Sequence, residues 1–124
     1  MAEPDSTAGA EGAEADFEAT VEAALDSLPP DLRSSMSNVA VLIEEEPPRG
    51  LPLLGLYRGL PLTRRGSGYA AVPPDTISIY RGPLVRLYGR DPDRLRHEIR
   101  RVVLHEVAHH FGISDERLIE LDRY

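Results

Sequence analysis

At 124 residues the chain is long enough for one small domain with a modest core. It contains no cysteine, which excludes disulfides and thiolate metal sites and leaves histidine and carboxylate as the metal-binding side chains. The net charge of −7 argues against a nucleic-acid binder, and no run approaches the ~20 apolar residues of a membrane span.

Residues 1–15 are mostly alanine, glycine and acid, with no long apolar residue after Met1. Such a composition buries too little surface to offset the entropy of ordering, so a disordered acidic tail is expected there. The domain is then residues 16–124. The start has neither the basic residues nor the apolar core of a signal peptide, so a cytoplasmic protein is expected. Over residues 16–28, Phe17, Val21, Ala24, Leu25 and Leu28 recur at helical spacing with acids opposite. Pro29-Pro30 should end that helix, because a residue before proline is pushed out of helical angles. A short helical turn is plausible in 31–38.

The run Val39-Ala40-Val41-Leu42-Ile43 is apolar, branched and short, which reads as a buried strand. The acids at 44–46 are adjacent, so as strand residues they alternate between faces and make a poor cation site. They are expected to be a solvated strand end. Residues 47–75 are rich in glycine and proline, with a short strand expected at 53–57. Gly66-Ser67-Gly68 has no following lysine or helix start, which argues against a phosphate loop. A loop of this length could border a substrate groove.

Residues 76–81 alternate isoleucine with polar residues and should form a strand, interrupted by Gly82-Pro83 and followed by a short helix at 84–88. Asp91 then stands as an N-cap with Pro92 in the first helical position. The helix from Pro92 carries Leu95, Ile99, Val102 and Val103 on one face. Further on, Val103, Leu104, Val107, Ala108 and Phe111 surround it, and a helix apolar on most sides is a buried one.

Inside that buried segment stand His105, Glu106 and His109. Buried ionisable groups cost several kcal/mol when unpaired, and a metal would supply the partners. Two histidines four apart stand one turn above each other, so both imidazoles can reach one ion. Glu106 can face a metal-activated water without being a ligand. Gly112 permits a sharp helix exit, which can return Asp115 to the same ion as third ligand. The other account of Asp115 is a carboxylate at the start of a final helix, capped by Ser114 and docked by Leu118, Ile119 and Leu121. Glu116 is the rival ligand. His97 is expected at the surface, and His110 is expected to pack or to bond a carboxylate or carbonyl.

The pattern His-Glu-x-x-His-x-x-Gly-x-x-Asp at 105–115 resembles the zinc signature of the metzincin clan of metallopeptidases, most members of which end in histidine and a minority in aspartate. More closely, Ile77-Ser78-Ile79-Tyr80-Arg81-Gly82 together with residues 103–117 is similar to a family of very small bacterial zincin-like metallopeptidases. The resemblance covers roughly residues 30–124, and its specific part is the signature. It implies one zinc ion held by His105, His109 and Asp115, with Glu106 as general base. It also implies an α+β fold, a small mixed sheet packed on the active-site helix with helices at both ends. The methionine turn of metzincins has no counterpart, since the methionines are Met1 and Met36 and nine residues follow Asp115.

The expected function is therefore zinc-dependent hydrolysis of peptide bonds in a peptide or protein substrate, with no nucleic-acid or membrane partner. The alternative is a non-catalytic zinc-binding domain that uses the groove for a partner. Retention of Glu106 favours hydrolysis, because a structural site needs ligands but no base. Tyr57, Tyr80 and Tyr124 are chemically capable of a second hydrogen bond to the oxyanion, and their spacing selects none of them.

Overall fold

The stripe Phe17, Val21, Ala24 and Leu25 is buried along one side of α1, which spans Asp5–Asp26 in the computed structural model. The structure describes residues 5–59 and 74–113. Helix α1 starts earlier and stops sooner than the expected 16–28. Residues 5–15, expected as part of the disordered tail, are helical, consistent with the high helix propensity of alanine and glutamate. A short helix, α2, follows at Pro30–Ser34, with proline in its first turn.

Three strands make one mixed sheet. Strand β1 spans Val39–Glu44, β2 spans Gly55–Arg58 and β3 spans Asp75–Tyr80. Their order is β1-β3-β2, with β1 parallel to β3 and β2 antiparallel at the other edge. The central strand is covered on both faces: Ile77, Ser78, Ile79 and Tyr80 are all fully buried. Its isoleucine–polar alternation therefore does not mark a wet face. Ser78 is accommodated because its hydroxyl donates to Glu44 Oε2 at 2.6 Å.

The acids at 44–46 are more than the solvated strand end expected. Glu45 pairs with Arg81 at 3.4 Å, and Glu46 takes two bonds from Arg86, at 2.7 and 3.0 Å. The Arg86 guanidinium holds the Glu46 carboxyl below its ordinary pKa. At this exposure the pairs register β1 against the next helix more than they stabilise the domain.

That helix, α3, spans Arg81–Tyr88 and begins directly where β3 ends. Gly82-Pro83 does not separate strand from helix as expected. Proline needs no N–H in a first turn, and Gly82 fits where a Cβ would strike the Glu46 carboxylate and the Glu45 carbonyl. Helix α4 spans Pro92–His110, and Asp91 caps it as expected, Oδ1 accepting from the Arg94 N–H at 3.3 Å.

The core forms where α1, the sheet and α4 meet, joining Phe17, Val21 and Leu25 to Ile77, Ile79, Leu84, Ile99 and Val103. This is the α+β arrangement expected, with a small mixed sheet packed on the helix that carries His105 and His109. Among the described residues no helix is long and apolar enough to cross a membrane. The final helix expected after Ser114, the Gly66-Ser67-Gly68 segment, Asp115, Glu116 and Tyr124 lie outside the described residues.

Candidate metal centre

Helix α4 is held at both ends by local chemistry. Asp91 starts it. At the other end Gly112 has φ +83°, the Gly112 N–H donates to the His109 carbonyl and the Ile113 N–H donates to the Ala108 carbonyl, both at 2.9 Å. These crossed bonds form a Schellman motif, which glycine favours because a Cβ is strained at positive φ. The chain therefore leaves the helix just after the second histidine of the motif, as its spacing predicts.

Between those ends the helical repeat brings three groups together. The His105 and His109 rings meet edge to face with centroids 4.6 Å apart. His109 Nδ1 lies 3.2 Å from Glu106 Oε1. One ligand atom from each of the three side chains can be chosen so that all lie within 4.8 Å of one another. Glu106 is buried, while both imidazoles are half-buried, so the two rings remain partly accessible. With Glu106 as an ionised carboxylate, which only accepts, His109 would donate from Nδ1 and turn its Nε2 lone pair to an ion.

Packing against the edge strand fixes Glu106 from the other side. A Cβ on Gly55 would come within 2.6 Å of Val102 Cγ1 and 3.2 Å of Glu106 Cγ. Glycine at the start of β2 thus lets α4 lie close under the sheet edge, and alanine there would push on the Glu106 stem. Beside it opens a cavity of about 310 Å³, lined by Leu53, Leu54, Tyr88, Glu98, Arg101 and Val102.

A second polar cluster lies behind the first. His110 and Asp75 are almost fully buried, with His110 Nδ1 3.0 Å from Asp75 Oδ2. The Tyr57 hydroxyl donates to the same oxygen at 2.6 Å. His110 therefore bonds a carboxylate, one of the two roles expected for it, and His97 is exposed as expected. The single Tyr57 O–H is directed at Asp75. Tyr80 is fully buried, its hydroxyl without a hydrogen-bond partner among the described residues.

Sequence reasoning missed Asp75, Glu98 and Arg101. No local signal marks Asp75. Glu98 and Arg101 were findable, because they lie on the helical stripe that continues through Val102 to His105. The third ligand expected, Asp115, is outside the described residues, as is its rival Glu116.

No curated protein matches the chain. Residues 36–124, which include the whole sheet, α3, α4 and the His105–Glu106–His109 cluster, match the family described as zincin-like metallopeptidase. That match spans well over half of the sequence and contains the His105–Glu106–His109 cluster that could hold a metal: the chain belongs to the zincin-like metallopeptidase family.

Proposed function

We propose that the protein is a zinc-dependent metallopeptidase, in which His105, His109 and Asp115 hold one zinc ion and Glu106 is the general base. The observation that carries this reading is the clustering of two imidazoles and a buried carboxylate on one face of α4. The donor set suits the metal. His105 and His109, whose ligand atoms can lie within 4.8 Å of each other and of a Glu106 oxygen, would hold the ion through their ring nitrogens. Two nitrogens with one carboxylate also favour zinc over the harder cations, which prefer oxygen alone.

Bound zinc supplies Lewis acidity, lowering the pKa of a coordinated water towards ~7 and polarising the substrate carbonyl. The remaining work belongs to the chain. Glu106 accepts the proton of the attacking water and returns it to the departing amine. His109, within hydrogen-bond distance of Glu106 Oε1 through Nδ1, would help to orient that carboxylate. Gly55 keeps the sheet edge close enough to hold the Glu106 stem in place while the cavity beside it stays open for a substrate residue.

The direct test is digestion of a mixed peptide library by the zinc-loaded protein, read by mass spectrometry, against the same preparation stripped with a chelator. Cleavage that requires zinc is the expected result. Silence from a preparation with zinc verified as bound would instead favour a zinc-binding domain without turnover. A separate measurement tests the third ligand. Asp115→Ala should lose zinc to a mild chelator at least about tenfold more readily than the parent, since one of three protein ligands is gone. Unchanged retention would move the assignment to Glu116.

A further inference from the structure

We infer that the open edge of β1 is a docking surface for an extended basic segment of a partner protein, which joins the sheet as a further strand. β1 is the edge opposite β2, whereas α4 packs on β2 and β3. The inference is therefore independent of the peptidase reading.

The backbone sets the edge. Among the described residues β1 has one neighbouring strand, β3, and it pairs without a bulge from Val39 to Glu44. The Asn38 carbonyl accepts from the Asp75 N–H at 3.2 Å, which fixes the phase of the ladder. Alternation along the strand then turns the N–H and C=O groups of Ala40 and Leu42 towards β3, and those of Val41 and Ile43 outwards. Natural sheet edges are commonly guarded by lysine, proline or a bulge. The run Val39-Ala40-Val41-Leu42-Ile43 has none of these.

A groove of about 320 Å³ lies beside the outward groups, lined by Val41, Leu42 and Ile43 from β1 and by Glu18, Val21 and Glu22 from α1. Consecutive strand residues point to opposite faces, so a groove that touches three in a row follows the backbone edge. Leu42 is 45% exposed on it. An incoming strand thus finds hydrogen-bonding groups, branched side chains to pack on and the space to lie down.

Charge selects the occupant. The lining holds two carboxylates and no cation. Glu18 and Glu22 are exposed, and among the described residues neither forms an ion pair. Four apart on a helix, they stand roughly 6 Å from each other, close to the roughly 6.6 Å between alternate residues of a strand. Two basic side chains at i and i+2 of the added strand can therefore meet both, while the residue between them packs beside Leu42. A second copy of this chain is a poorer occupant. Antiparallel pairing of two β1 strands about a two-fold axis would put both α1 helices on one face, acids against acids.

The test uses the full-length protein and decapeptides in which valine alternates with lysine or with glutamate, titrated by heteronuclear NMR. The lysine peptide should shift the Val41 and Ile43 amides, protect them from exchange and bind about tenfold more tightly than the glutamate peptide, since exposed ion pairs replace repulsions. Salt at about 0.5 M should remove most of that preference. Proline in place of valine keeps the charge and removes the strand, so that peptide should not bind. Glu18→Lys combined with Glu22→Lys should turn the preference towards glutamate, and the proline control needs no altered protein. Equal affinity for the lysine and glutamate peptides, equal binding of the proline peptide, or binding that leaves Val41 and Ile43 unmoved would each overturn the docking surface. A stable dimer in sedimentation that protects the same two amides without peptide would give the edge to a second copy and overturn the basic partner.

Discussion

Zinc-loaded Glu106→Gln should keep its metal and lose peptide hydrolysis by a factor of about 10²–10⁴, the usual contribution of a positioned general base. The substitution is chosen because it changes one property. Glutamine has the length and shape of glutamate, so the packing of the stem against Gly55 is preserved. Its amide oxygen can still accept from His109 Nδ1, 3.2 Å away in the parent, so the imidazole keeps its orientation and its lone pair at Nε2. What disappears is the capacity to take a proton from water and return it to the amine. Zinc content by mass spectrometry and initial rates on one cleaved peptide separate the two effects. Activity within about threefold of the parent would remove Glu106 from the proton transfer, since that is below the smallest general-base contribution. Parallel loss of zinc and rate would instead make Glu106 a ligand or a support for one.

The contrast between the two faces of α4 explains how much of this site the sequence could disclose. His105, Glu106, His109, the Asp91 cap and the Gly112 exit are all local, their geometry set by the helical repeat and by hydrogen bonds a few residues apart. Such features read directly from spacing. Asp75, Tyr57 and His110 are separated by 18 and 35 positions and meet only because β2 and β3 pair antiparallel beneath the helix. Nothing in the neighbourhood of Asp75 announces it as buried. Gly82-Pro83 misled for the opposite reason: breaker residues punctuate a chain only when no helix is ready to start at them, and here α3 begins one residue earlier. The alternation in β3 gave the strand correctly, but the burial of Ser78 against its tertiary acceptor Glu44 is something strand periodicity cannot foresee.

Asp75→Ala should destabilise the fold by about 3–5 kcal/mol, the largest loss expected from a single change outside the metal cluster. Asp75 is 2% exposed and His110 1%, so solvent cannot replace the carboxylate that serves His110 and Tyr57. Truncation would leave the His110 Nδ1 and the Tyr57 hydroxyl without that acceptor, each at about 1–3 kcal/mol, and would open a cavity at the start of β3. The imidazole is already poorly served, because Nε2 has no hydrogen-bond partner among the described residues. Tyr57→Phe removes one donor and keeps the Asp75–His110 bond, so it should cost only about 1 kcal/mol. Urea unfolding of the metal-free proteins measures both, and the combined variant gives the coupling between Tyr57 and Asp75. Asp75→Ala within about 0.5 kcal/mol of the parent would mean that the cluster is a bystander, since that is the range of an ordinary surface substitution. The expected ordering matters for the metal as well. His110 follows His109 directly, so the bond from His110 to Asp75 anchors the last turn of α4, which carries His109, to β3.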